Sequence, residues 1–174
     1  MNEHDVYLGN PNLKKANTQI EFTEEQIIEF LKCKEDPVYF ANNYMKIVSL
    51  DEGLVQFKPY DFQEKLINNF HENRFNICKM PRQTGKSTTS VSYLLHYCVF
   101  NDSVNIGILA NKAATARDLL GRLQTAYENL PKWMQQGIIS WNKGSLELEN
   151  GSKILAASTS ASAVRGMSFN ILFL

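Results

Sequence analysis

The residues best suited to chemistry in this chain stand together in Met80-Pro81-Arg82-Gln83-Thr84-Gly85-Lys86-Ser87-Thr88-Thr89. Gly85, Lys86 and Ser87 put a residue without a Cβ, an ammonium and a hydroxyl in adjacent positions. That set suits a polyphosphate. The glycine lets the backbone approach closely, the ammonium offsets phosphate charge, and the hydroxyl can ligate Mg²⁺. The apolar run Phe75 to Met80 comes before it and reads as a buried strand; Ser87 to Phe100 follows and reads as a helix. In a strand–loop–helix order, the first backbone N–H groups of the helix and the positive end of its dipole face the loop. A nucleoside triphosphate is the ligand this order implies first.

The loop departs from the usual phosphate-loop pattern. Where that pattern has its first glycine stands Met80, and no other glycine lies between Met80 and Gly85. Pro81 and Arg82 open the loop instead, and the Arg82 guanidinium is placed to reach a γ-phosphate from within the same chain. Without its context, a Gly-Lys-Ser triplet would read as a turn before a surface helix.

Other elements must position that loop. Residues 1–21 read as a polar, mobile tail. Thr23 and Gln26 form a capping box ahead of a short apolar helix, and Asp36-Pro37 reads as an N-cap with proline at the first helical position, opening a helix to about Tyr44. Lys46–Leu50 and Leu54–Phe57 flank Asp51-Glu52-Gly53 as a hairpin. Tyr60 to Asn73 reads as a helix with Phe62, Leu66, Ile67 and Phe70 on one face. After the loop come a strand over Val104–Ala110 and a long helix over Ala113–Leu130. A hairpin follows around Asn142-Lys143-Gly144, then a strand over Lys153–Ala157 and a buried strand over Asn170–Leu174. Glu147 and Glu149 read as a solvated face of that hairpin. Strands alternating with helices predict an α/β fold with a mostly parallel sheet and helices on both faces. Residues 1–54 read as a tail with a small helical and hairpin subdomain, and residues 55–174 as the nucleotide-binding core.

Composition narrows the function classes. The chain has 174 residues, enough for one sizeable core, with 18 basic and 18 acidic side chains. A balance of zero excludes a whole-chain basic footprint, so any nucleic-acid contact has to be local. Cys33, Cys78 and Cys98 are scattered in apolar surroundings and read as buried thiols rather than disulfides or metal ligands; His4, His71 and His96 have no ligand spacing. The polar stretch Met1 to Lys15 argues against a signal peptide, and no apolar run has membrane-spanning length.

Four segments together resemble the N-terminal ATPase part of the large terminase subunit of tailed bacteriophages, in its T4-like branch. They are Phe57-Lys58-Pro59-Tyr60-Asp61-Phe62-Gln63, Pro81 to Ser87, Gly107 to Lys112, and the stretch from Trp141-Asn142-Lys143-Gly144-Ser145 through Asn150-Gly151-Ser152 to Ala163-Val164-Arg165-Gly166. The resemblance implies a RecA-like P-loop fold of the ASCE class, incomplete at the C-terminus, that takes ATP and Mg²⁺. It implies a nucleotide contact set of Gln63, Pro81, Arg82, Gln83, Thr84, Gly85, Lys86, Ser87 and Thr88. In it Gln63 would bond the adenine edge, Lys86 would hold the β- and γ-phosphates, and Ser87 would ligate Mg²⁺. Arg82 would sense the γ-phosphate, and Arg165 would be offered in trans to a neighbouring subunit's ATP. The implied partners are non-specific double-stranded DNA, a portal protein, a small terminase subunit and further copies in a ring. The implied setting is the host cytoplasm and, transiently, the prohead. Lys112, Arg117 and Arg122 are candidates for DNA phosphate contacts, although a solvated helix face explains them equally well.

Hydrolysis needs a carboxylate on Mg²⁺ and a second one to orient water, usually just after a buried apolar strand. Ile171-Leu172-Phe173-Leu174 is such a strand. The expectation is a fragment in which Asp-Glu would come next, poorly active as it stands and without the nuclease domain of the resembled family. The alternatives are a superfamily 2-type helicase or translocase fragment, and a non-catalytic remnant that binds motor partners.

Overall fold

The computed structural model describes residues 5–49, 51–160 and 166–174. Three strands run parallel beside a short antiparallel meander, making one five-stranded sheet. The strands are β5 (Asn105–Ala110), β6 (Ile138–Trp141), β7 (Ser145–Leu148), β8 (Lys153–Ser158) and β9 (Ile171–Phe173), in the order β6-β7-β8-β5-β9. β5 pairs in parallel with β8 (Ile106 opposite Ile154) and with β9 (Ile106 opposite Ile171), whereas β6–β7 and β7–β8 are antiparallel. The expectation of a mostly parallel sheet is thereby corrected to a mixed one. The short Asn142-to-Gly144 turn, closed by the Asn142 side chain on the amides of Gly144 and Ser145, can only return a strand antiparallel.

Helix α5 (Ala113–Glu128) packs on β5 and β8, and α4 (Lys86–Phe100) packs on α5 and on α3 (Asp61–Glu72). Ile106, Ile108 and Leu109 are all buried, so both faces of β5 are covered. The α5 face made by Ala116, Leu120, Leu123 and Tyr127 repeats every three to four residues and meets Ile138, Leu146, Leu148 and Ile154 from the sheet.

Two N-terminal helices extend that core. α1 (Glu24–Glu35) starts with the expected capping box: Thr23 Oγ1 accepts from the Gln26 amide and Gln26 Oε1 from the Thr23 amide. α2 (Pro37–Tyr44) starts at Asp36, whose carboxylate accepts from the Val38 and Tyr39 amides. Phe30 and Phe40 pack edge-on to Phe100 of α4, with centroids 4.9 and 5.5 Å away. The hairpin expected over residues 46–57 is β3 (Lys46–Ser49) paired with β4 (Gly53–Gln56).

The N-terminal segment is not a mobile tail. Val6–Tyr7 (β1) and Asn10–Lys14 (β2) form an antiparallel pair, Leu13 is buried, and Lys15 bridges to Ile138 at the sheet edge. Gln135 holds it from the core side, accepting from the Lys14 amide and donating to the Asn12 carbonyl. Glu149 pairs with Lys14 at 2.9 Å and accepts from the amides of Asn17 and Gly137. Glu149 is therefore no solvated residue. Burial alone would raise its pKa, but the Lys14 ammonium and the two amides outweigh that and hold it below the usual carboxylate range. Glu147 does lie at the surface, paired with Lys153.

A candidate phosphate-binding cleft

The loop 81–85 joins an extended segment to α4. Gly85, with φ +75°, is the N-cap residue of α4 and accepts from the Thr89 amide, which starts the helix at Lys86. Gln83 also has positive φ, +61°. Left-handed residues at a turn into a helix gather successive N–H groups into an anion-receiving concavity. Such a conformation strains a residue with a Cβ, and strain of this kind concentrates at ligand sites. The first-turn amides of α4 have no acceptor within the helix, and no acidic side chain stands in that turn to compete for them.

Lys86 is folded back on its own loop, its Nζ donating to the carbonyls of Met80 (3.0 Å) and Pro81. Thr84 Oγ1 donates to the same Pro81 carbonyl at 3.0 Å. The ammonium thus spans the mouth of the loop, where an incoming phosphate would take over its donors. Pro81, Arg82 and Gln83 are exposed, whereas Thr84 to Thr88 are half-buried.

Lys86 and Ser87 open into a cleft of about 630 Å³ whose far wall is residues 170–174, including β9. Ser90, Tyr93 and Tyr97 continue the α4 wall, and Phe70 and His71 of α3 close one end. Burial pushes the Tyr93 hydroxyl up to about 12, so it stays a neutral donor. The missed lining residues had a signal: Lys86, Ser90, Tyr93 and Tyr97 recur at helical spacing on one face.

Gln63 lies between the start of α3 and the loop. It is 4% exposed, its Oε1 accepts from the Tyr60 amide at 2.9 Å, and its Nε2 donates to the Thr84 carbonyl at 3.1 Å. Of the residues singled out in the sequence, the structure brings together Gln63, Pro81, Thr84, Gly85, Lys86 and Ser87. Arg82 has its place in the exposed loop, and Arg165 lies outside the described residues. For Mg²⁺ the chain offers the Ser87 hydroxyl. No cluster of three His, Cys, Asp or Glu side chains able to hold a metal occurs among the described residues. A hydroxyl suits Mg²⁺ when phosphate oxygens and water fill the remaining positions, so the donor set fits a metal carried by a triphosphate rather than an all-protein metal site.

Two sequence expectations fail beside the loop. Phe75 to Met80 is not a buried strand: it pairs with no strand, Phe75 is 84% exposed and Ile77 fully exposed. Apolar content makes a strand only where a neighbouring strand takes its amides and carbonyls, and the described sheet ends at β9. Cys78 is exposed for the same reason, while Cys33 and Cys98 are buried and free, their thiols raised to about 12 by burial. Second, β9 is only partly covered, with Leu172 and Leu174 exposed on the free edge that faces the cleft.

The crystal structure of the HK97 bacteriophage large terminase superposes with a TM-score of 0.64 over 80% of the chain at 18% identity. The chain spans 30% of the length of that protein. Residues 77–174, which include the loop, α4, the whole sheet and the cleft wall, match the family described as terminase large subunit, T4-like virus type, N-terminal. The chain belongs to that family of phage terminase large subunits.

Proposed function

We propose that this chain is the ATP-binding motor part of a DNA-packaging terminase, with a RecA-like P-loop core. The observation that supports the reading best is the loop 81–87. There Lys86, the Ser87 hydroxyl and the open amides of α4 converge at one end of a cleft large enough for a nucleotide. On that reading, Lys86 exchanges its loop carbonyls for β- and γ-phosphate oxygens. The helix N-terminus and the 83–86 amides hold the rest of the triphosphate charge, and Ser87 takes one Mg²⁺ position. Mg²⁺, when bound, supplies charge neutralisation between the β- and γ-phosphates. Arg82, exposed in the same loop, would add charge at the γ-phosphate from the same chain, and Arg165 would be the residue offered to a neighbouring copy. ATP turnover would drive duplex DNA into the prohead, in a ring of copies seated on a portal protein and served by a small terminase subunit in the host cytoplasm. DNA grip would be through phosphates, with Lys112 and Arg117 exposed at the start of α5, and Arg122 already engaged with Asp118.

The test is calorimetric titration of the 174-residue chain with ATP in Mg²⁺. Binding is expected, weakened about 10- to 100-fold by Lys86→Ala, the range for losing a charged hydrogen bond. No binding at millimolar ATP, or equal binding by the variant, would overturn the proposal.

A further inference from the structure

Helix α1 has two apolar faces, and the fold uses one of them. Cys33 is buried, and Phe30 packs edge-on against Phe100 of α4 with centroids 4.9 Å apart. On the outer side Ile27, Ile28 and Leu31 are 48, 55 and 52% exposed. At 3.6 residues per turn these three fall within about 100° of one another, a continuous stripe on a 12-residue helix. Single exposed apolar residues are ordinary, whereas a contiguous stripe rimmed by charge marks a contact surface.

The rim says what covers it. Glu24 and Glu25 stand in the first turn of α1, Lys32 and Lys34 in the last. Glu25 and Lys32 share one flank of the stripe, within about 20° of each other around the axis. Among the described residues no ion pair within the chain takes Glu24, Glu25 or Lys34, and Lys32 reaches Glu29 only at 3.8 Å with more than half of its side chain exposed. The dipole of α1 accounts for acids at its start and bases at its end, but not for the apolar stripe between them. A twofold axis across the helix near Glu29 accounts for both. It sets Glu24 opposite the partner's Lys34, Glu25 opposite the partner's Lys32 and Ile27 opposite the partner's Leu31, with the two helix dipoles antiparallel.

We propose that the outer face of α1 is a self-recognition surface, on which two copies of this chain pair antiparallel. Such a contact is isologous and closes at two copies, so it is distinct from the head-to-tail contact of a ring. It is also independent of nucleotide binding.

The test is sedimentation equilibrium of the full 174-residue chain at low ionic strength, where an interface below the standard size should be half-formed at a concentration on the order of 100 µM. The acidic pair is reversed in Glu24→Lys/Glu25→Lys and the basic pair in Lys32→Glu/Lys34→Glu. Each reversal sets like charges opposite one another and should weaken self-association by about tenfold or more, whereas the two variants mixed in equal amounts should associate as the parent does. Reversed charges also oppose the dipole of α1, so Leu31→Gln, which alters one exposed side chain, serves as the second variant and should lose about tenfold. A parent chain still monomeric at about 1 mM would overturn the proposal and leave the stripe to a different protein. So would association that continues past two copies, reversed variants that pair as tightly as the parent, or folded variants whose mixture pairs no better than either alone. If a reversed variant loses its helical circular dichroism, Leu31→Gln decides, and unchanged association in it refutes the pairing.

Discussion

The contact between Gly85 and Gln63 sets the cost of a single methyl group. In Gly85→Ala the new Cβ has two consequences. The residue must keep φ at +75°, which for an L side chain costs roughly 1–2 kcal/mol. The Cβ would also lie 2.4 Å from Gln63 Nε2, so the amide must leave. Nε2 is the end of a flexible side chain, and in an open site it would swing aside cheaply. Here it is buried and holds the Thr84 carbonyl, so moving it strands a buried donor and acceptor at about 1–3 kcal/mol. The two together predict a loss of about 2–5 kcal/mol.

Removing the obstacle first tests the reasoning. In a Gln63→Ala background the collision is gone, and Gly85→Ala should cost only its left-handed conformation. The double variant is then less destabilised than the sum of the singles by about 1–3 kcal/mol. Urea unfolding followed by the fluorescence of Trp133 and Trp141 reads this cycle, and the single Gly85→Ala shift corresponds to a midpoint lower by roughly 1–2 M. A Gly85→Ala variant as stable as its parent would refute the argument. So would single effects that add to within about 0.5 kcal/mol in the double variant.

Three further substitutions and a pH titration probe the frame around the site. Gly137→Ala would set a Cβ 2.5 Å from both the Ala16 Cα and Glu149 Oε2; it should cost about 3 kcal/mol, as overpacking does, and speed proteolysis within residues 1–20. The matched Gly121→Ala, with nothing within 4 Å in the α5 interior, should instead gain about 0.5–1 kcal/mol in the same urea experiment; equal effects at the two sites would refute the contact. His96 predicts an acid limit. Burial lowers its pKa from 6.5 to about 4, against the pull of the Cys33 carbonyl, with His71 adding to the lowering and Asp36 opposing it. Between pH 6.5 and 4 the unfolded chain binds the proton and the folded chain does not. Stability should therefore fall as pH drops through that window, by about 3 kcal/mol at its foot, and a His96→Leu variant should lose this slope in unfolding measured at stepped pH.

Elements specified by neighbours in the chain were legible in the sequence. Thr23 with Gln26 and Asp36 with Pro37 declare α1 and α2 because a cap is made within three residues. Gly85-Lys86-Ser87 declares the start of α4 because the left-handed cap and the open amides belong to the same few bonds. The strand positions from β5 to β9 were also legible, since their apolar runs are short and bounded by turn residues. What was hidden depended on residues far along the chain. The run Phe75 to Met80 has strand composition, but a strand also needs a partner, and composition does not reveal whether one stands beside it. The reverse holds for Asn10–Lys14, polar and containing Pro11, which pairs with Val6–Tyr7 and is held from more than 100 residues away, where Gln135 accepts from the Lys14 amide and donates to the Asn12 carbonyl and Glu149 pairs with the Lys14 ammonium.

The same distinction governs the site. The types and order of Gly85, Lys86 and Ser87 were what pointed to a phosphate ligand, because that chemistry is local. Gln63 could be placed on a helix by its period, yet it bonds a carbonyl 21 residues later that no periodicity points to. A glutamine near a phosphate loop has two uses, reading a base or holding the loop, and its composition and spacing are identical in both. Here Oε1 is turned to the Tyr60 amide and Nε2 to the Thr84 carbonyl, so Gln63 ties the start of α3 to the loop.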